Sequence, residues 1–239
     1  MSMARQALSG HRRLHVLLGL QSLLIVLVSV NRRGDLALGF AAPNGFLRCV
    51  EVNNLLLALA AAVQYYLLLQ RLEGDAGLSA ESQTALRVTF VVGLYLWAAG
   101  YGDHEVTNYL NTRFCAQADN LGEPCRVIGF HDDVFSHHLF FAGFILLNLV
   151  VMFAGTSPAT TRPLTVADNI LFTVNALFVA AGITANLGFE QIGADLYVVV
   201  IVAVLAAGLL WRRRHAPILR YYTIAYAAGL LATVVVKML

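Results

Sequence analysis

The sequence predicts an all-α, polytopic integral membrane bundle with seven transmembrane helices. Of its 239 residues, 59% are hydrophobic and only 13% are charged, whereas soluble proteins carry about 25% charged residues. The apolar residues form separate long blocks that short polar stretches divide. Because lipid offers no partner to backbone polar groups, a crossing segment must be a helix or part of a closed barrel. The blocks lack the alternation of barrel strands, so helices are predicted.

Seven blocks approach the length that crosses the hydrocarbon core, which is about 20 residues. The chain contains no repeat, low-complexity tract or long linker, so we expect residues 1–239 to form a single transmembrane helical domain. The predicted spans are 14–30, 52–69, 88–102, 134–153, 170–185, 196–211 and 218–236, and the longest connection is an outer loop over 104–133.

The distribution of lysine and arginine predicts the orientation, because these residues accumulate in cytoplasmic loops. A cytoplasmic N-terminus places ten of them in inner segments and six in outer segments, out of 16 in total. We therefore predict a cytoplasmic N-terminus and an extracytoplasmic C-terminus in a bacterial-type plasma membrane. Tyr221, Tyr222 and Tyr226 with Trp211 predict an aromatic belt at the inner interface. The net charge of +2 gives no indication of nucleic-acid binding.

Two of the three cysteines lie in the 104–133 segment, which this orientation places outside the cytoplasm. Disulfides persist in that environment. We predict a bridge between Cys115 and Cys125, with two unpaired thiols as the alternative. Cys49 remains alone near the start of the second span.

Ionisable side chains collect at the predicted outer ends of the third and fourth spans. Such residues are functional candidates, because charge is costly at membrane depth. If the fourth span is already helical here, Asp133 and His137 are four residues apart and share one face. These two residues are the main candidates for a joint metal site. The full set of predicted metal ligands is His104, His131, Asp132, Asp133, His137 and His138.

Imidazole and carboxylate ligands together suit a transition metal such as zinc, copper or iron, and open coordination positions suit catalysis. Zinc would activate water, whereas copper or iron would handle oxygen or electrons. Glu105 and Glu190 are candidate catalytic acids or bases beside the third and fifth spans. The structural alternative is that Asp132 or Asp133 caps the fourth span and the remaining residues pair with one another.

Three features of the sequence resemble known protein families. The stretch 132–137 is similar to the metal-binding segment in the C subunit of particulate methane and ammonia monooxygenases, but 145–152 lacks that family's further histidine. The seven spans resemble alkaline-ceramidase-like and progestin-receptor-like hydrolases, whose paired histidines are absent from 218–236. The run 100–103 is similar to the end of a potassium-channel filter, with Ala98-Ala99 in place of Thr-Val. The chain is therefore assigned to none of these families.

These observations together predict an integral membrane enzyme, an oxidoreductase or a hydrolase, with a His/Asp metal site at the extracytoplasmic boundary. Its partners would be the lipid bilayer and an apolar or lipid-like small molecule that reaches the site from the bilayer. The alternative is a non-enzymatic transporter, or a subunit that assembles with membrane-protein partners. Either would use the same polar cluster to hold a solute or a partner.

Overall fold

The computed structural model of the protein describes residues 3–33, 37–115, 122–156, 164–189 and 193–239. Within these ranges the chain forms helices joined by turns, with one isolated bridge between Phe40 and Arg48. Two π-helical turns, Asn111–Cys115 and His131–Phe135, follow α3 and α4 respectively. The helices are α1 (Met3–Arg33), α2 (Cys49–Ala76), α3 (Ala80–Leu110), α4 (Glu123–Phe130), α5 (Ser136–Ala154), α6 (Val166–Phe189), α7 (Ala194–Arg212) and α8 (Pro217–Met238).

In the described part of the chain, seven helical segments are long and apolar enough to cross a membrane, which confirms the predicted all-helical class and number of spans. The direction of insertion stays a prediction. The segments are His11–Asn31, Cys49–Gly74, Ala80–Cys115, Glu123–Ala154, Val166–Gly188, Ala194–Arg212 and Pro217–Met238.

The third and fourth segments, of 36 and 32 residues, extend well beyond the apolar stretches 88–102 and 134–153. A helix of 36 residues is about 54 Å long, whereas the hydrocarbon core is about 30 Å thick. Most of the segment 104–133, which we predicted as a loop, is therefore helical. Its polar side chains do not end the helices, because a helix satisfies its own backbone groups in water as well as in lipid.

The chain divides into two compact units, which are described separately. The large unit comprises Met1–Leu86 and Asn148–Leu239, and the small unit comprises Arg87–Leu147. The prediction of a single domain stays a prediction.

In the large unit, polar pairs connect α1 to α6. His15 bonds to Asp168, and Ser22 Oγ donates to Asn175 Oδ1 at 2.9 Å; both pairs are separated by 153 residues along the chain. A constant separation means that the two helices run parallel, with one contact every seven residues. Such paired polar side chains hold helices together in lipid.

The tyrosines of α8 do not form the predicted interfacial belt. Tyr221 and Tyr222 are 1% exposed and Tyr226 is 3% exposed, whereas Trp211 is 76% exposed. Tyr222 stacks on Tyr226 with ring centroids 5.9 Å apart. Their rings pack in the core of the large unit, so Trp211 is the member of this group that fits an interfacial position.

In the small unit, glycines bring α3 and α5 into direct backbone contact. A Cβ atom at Gly100 would lie 2.4 Å from the backbone nitrogen of Phe140, and one at Gly143 would lie 2.3 Å from that of Trp97. Only glycine permits such an approach, which is the small-residue packing typical of membrane helices. The contact is antiparallel, and it aligns the end of α3 with the turn that precedes α5.

Candidate functional site

Two acid–imidazole pairs join the end of α3 to the π-helical turn His131–Phe135. His104 Nδ1 lies 3.0 Å from Asp132 Oδ1, and His131 Nδ1 lies 3.1 Å from Asp103 Oδ2. The pairing is reciprocal, since each element supplies one carboxylate and one imidazole. The two pairs lie where the apolar stretches 88–102 and 134–153 end.

The partners of His104 determine which ring nitrogen carries its proton. Its Nδ1 faces both the carboxylate of Asp132 and the main-chain oxygen of Asp132, the latter at 3.2 Å. Both groups are acceptors, so Nδ1 must be the donor. In the neutral imidazole the lone pair then resides on Nε2. That nitrogen is therefore the one suited to bind a metal or to accept a proton.

Asp132 is the buried centre of the cluster, with only 2% of its surface exposed. Its Oδ2 accepts a hydrogen bond from Asn111 Nδ2 at 3.1 Å, and its main-chain oxygen accepts one from Ser136 Oγ at 2.7 Å. Oδ1 lies close to His104 Nδ1, but that N–H points to the main-chain oxygen, so Oδ1 accepts no aligned hydrogen bond from the described residues. A buried carboxylate requires such partners, because desolvation of an unpaired charge is costly.

His137 adds a second imidazole beside His104. Their ring centroids are 5.0 Å apart, with an angle of 43° between the planes. Two imidazoles that share one tetrahedral zinc ion, at Zn–N distances of about 2.0–2.1 Å, have centroids about 5 Å apart. The spacing of these two rings therefore matches that of a ligand pair.

The π-helical turn determines which aspartate faces the cluster. In a π-helix the residues five apart are neighbours, and Asp132 is five residues before His137. Our prediction paired Asp133 with His137 on the assumption of an unbroken α-helix. The structure instead buries Asp132 and exposes Asp133. The additional residue in the turn is the physical reason for this difference.

The other predicted residues have different environments. His131 is paired with Asp103 and its side chain is 40% exposed. His138 is exposed, and its Nδ1 lies 2.6 Å from the main-chain oxygen of Val134 in the preceding turn. Glu105 is half-buried next to His104. Glu190 lies outside the described residues.

The predicted ligands and catalytic residues did not include Asp103, Asn111 or Ser136. A signal for Asp103 is present in the chain, because Asp103-His104 and His131-Asp132 are reversed doublets of the same two residue types. No comparable pattern identifies Asn111 or Ser136. Among the residues that the structure describes, no group of three or more His, Cys, Asp or Glu side chains is arranged to hold a metal ion.

The predicted disulfide is present between Cys115 and Cys125. It connects the π-helical turn after α3 to the first turns of α4, just beyond the two acid–imidazole pairs. Cys49 is unpaired and half-buried in the large unit. The bridge therefore closes the connection between the two elements that carry the cluster.

Replacing both Cys115 and Cys125 with serine is expected to destabilise the small unit. The bridge spans 10 residues, and closing a loop of this size stabilises a fold by about 3 kcal/mol. Thermal unfolding of the purified protein measures the effect, with Cys49→Ser as the control that should unfold like the wild type. Equal unfolding temperatures for the double variant and the wild type would contradict this expectation.

Comparison of the chain with models of protein families, with curated proteins and with solved structures finds no match. The fold indicates the class of protein, because the seven helical segments of spanning length and apolar composition in the described ranges are typical of an integral membrane protein. Within that class, its distinguishing feature is the cluster of His104, Asp132 and His137 beside the pair of Asp103 and His131.

Proposed function

We propose that this protein is a metal-dependent integral membrane enzyme, an oxidoreductase or a hydrolase, that acts on an apolar or lipid-like substrate. The observation that carries the proposal is the pair of imidazoles of His104 and His137, with ring centroids 5.0 Å apart. His104 Nδ1 bonds to the main-chain oxygen of Asp132 and lies 3.0 Å from the buried carboxylate of the same residue. This carboxylate–histidine arrangement is typical of metal ligands, whose second nitrogen binds the ion.

The two imidazoles supply part of a coordination sphere and leave the remaining positions to water or substrate. Catalytic sites keep such open positions, whereas structural zinc sites are closed by four protein ligands. Imidazole ligands suit zinc, copper and iron. When bound, zinc would activate water, and copper or iron would transfer electrons.

The second pair differs from the first in its access to water, which supports a separate role. The side chains of His131 and Asp103 are 40% and 27% exposed, whereas that of Asp132 is 3% exposed. An imidazole can donate a proton from one ring nitrogen and accept one at the other. The exposure of the His131–Asp103 pair therefore supports proton exchange between His131 and solvent, and Glu105 is a further candidate acid or base.

Exposed aromatic rings beside this pair support an apolar substrate. Phe130 and Phe135 are 54% and 41% exposed, and their rings lie 6.0 Å and 5.3 Å from that of His131. The cluster lies at the end of the apolar stretches, so a lipid-like molecule would reach it from the bilayer. The nearby disulfide favours an extracytoplasmic location, where such bridges persist.

Metal analysis of the purified protein tests the proposal. We expect the wild type to bind a transition metal, and we expect His104→Ala and His137→Ala each to bind one ion fewer per chain. His138→Ala is the matched control, because His138 is adjacent but bonds to its own helix. If the wild type takes up no zinc, copper or iron even after incubation with each ion, the metal enzyme is excluded and the transporter or subunit alternative gains support. Equal loss from His138→Ala would also contradict the proposed ligand pair.

A further inference from the structure

A third acid–imidazole contact lies in the large unit, where α1 packs against α6. His15 Nε2 lies 2.8 Å from Asp168 Oδ1. The carboxylate only accepts hydrogen bonds, so Nε2 is the protonated nitrogen of His15. In the neutral imidazole the lone pair is then on Nδ1.

That lone pair has no partner in the described part of the chain. His15 Nδ1 is fully buried without a hydrogen bond, and the whole side chain is only 10% exposed. The ring packs against Phe172, with centroids 4.5 Å apart. Leaving a buried polar atom without a hydrogen bond is costly, because the atom loses its contact with water and gains none in the protein. Such an atom in a native fold calls for an explanation, and an unseen ion is one of the few available.

His11 lies one turn before His15 on the same face of α1. Two helical histidines four residues apart form the ligand pair of many zinc sites. His11 is 8% exposed, and its ring centroid is 6.4 Å from that of His15. Imidazoles that share one tetrahedral ion have centroids about 5 Å apart. The two rings are farther apart than this at 6.4 Å, so they would have to approach each other when an ion binds.

Asp168 is itself held in place, as the outer partner of a metal-binding histidine normally is. Its Oδ2 accepts hydrogen bonds from the backbone nitrogen of Thr165 at 2.9 Å and from Thr165 Oγ1 at 2.7 Å. Its own N–H donates to Thr165 Oγ1 at 3.1 Å, which completes a reciprocal cap at the start of α6. The carboxylate therefore fixes the ring of His15 from the side opposite to Nδ1.

We infer that His11 and His15 form a second transition-metal site in the large unit, with Asp168 as the positioning residue. The ion would be one that imidazole prefers, such as zinc, copper or cobalt. The site shares no residue and no helix with the pair formed by His104 and His137. It is therefore independent of the proposed enzymatic function.

Cobalt(II) titration of the full-length protein, followed by visible absorption, tests this inference. The starting protein carries His104→Ala and His137→Ala, so that the first site cannot contribute. We expect one cobalt ion per chain with an absorption band of a nitrogen-ligated ion. Adding His15→Ala or His11→Gln should abolish the band, and adding Asp168→Asn should weaken binding about 10- to 100-fold.

His215→Ala is the matched control, because His215 is exposed in the turn before α8. Size-exclusion profiles identify variants that fail to fold. If His15→Ala fails to fold, His11→Gln, which retains a polar side chain, still tests the inference. The inference is overturned if the starting protein binds no cobalt, or if His215→Ala weakens binding as much as His11→Gln. If only the site on α1 is wrong, the wild type still binds one ion that His137→Ala removes. If only the enzyme site is wrong, the wild type still binds one ion that His11→Gln and His15→Ala remove and that His137→Ala leaves in place.

Discussion

Replacing Asp132 with asparagine is expected to weaken metal binding at the site of His104 and His137 by about 10- to 100-fold. The carboxylate lies 3.0 Å from His104 Nδ1 and accepts a hydrogen bond from Asn111 Nδ2. An amide accepts on one side only, so its NH₂ group would face one of these two donors. The negative charge beside His104, which raises the basicity of its metal-binding nitrogen, would be lost.

Asp133→Asn is the matched control for this prediction. Asp133 is the neighbouring residue of the same type, but it is exposed whereas Asp132 is 2% exposed. Both variants are made in a His15→Ala background, which removes the site on α1, and we expect Asp133→Asn to bind zinc in equilibrium titrations with the affinity of His15→Ala alone. Equal affinity of both variants would contradict the role assigned to Asp132, and a larger loss in Asp133→Asn would restore the pair that the sequence predicted.

Replacing Gly143 with leucine is expected to prevent the small unit from folding. Even a Cβ atom at this position would lie 2.3 Å from the backbone nitrogen of Trp97 and 2.5 Å from the carbonyl oxygen of Gly93. Backbone atoms cannot move aside as a side chain can, so α3 and α5 would have to separate. Overpacking that neighbouring side chains can relieve destabilises a fold by about 1–3 kcal/mol. A clash with backbone atoms is expected to destabilise the small unit by more than this.

The matched control is Gly102→Leu, because a Cβ atom there meets nothing within 4 Å. Thermal unfolding and the fraction of molecules with the Cys115–Cys125 bridge report on the small unit. We expect Gly102→Leu to resemble the wild type in both measurements. If Gly143→Leu melted at the wild-type temperature, the close backbone contact of α3 and α5 would be wrong.

The sequence predicted the spans well, because a bilayer imposes a length and an apolar composition that are visible without any tertiary information. The ends of the helices were less predictable than the spans. The apolar stretch 88–102 marks the part of the third segment that suits lipid, but its helix continues to Leu110. Hydropathy detects where lipid ends, and it gives no information about where the hydrogen bonds of a helix end.

The candidate site was predictable in composition and not in its contacts. His104 and His137 both belong to the predicted ligand set and lie with ring centroids 5.0 Å apart, whereas the choice between Asp132 and Asp133 depends on one π-helical turn. The additional residue in that turn changes the face on which the preceding side chains lie, and no side-chain pattern in 131–135 predicts the turn. Asn111 was not predicted because its role arises only when the end of α3 lies against Asp132.

X-ray absorption at the metal edge of the loaded protein tests the central claim most directly, because it counts imidazole ligands at the ion. The protein used is His15→Ala, in which the site inferred on α1 cannot contribute. We predict two imidazoles at the ion in this protein and loss of the bound ion after the further change His137→Ala. An unchanged imidazole count in the two proteins would show that His104 and His137 do not bind the same ion, and the account of the site would fail.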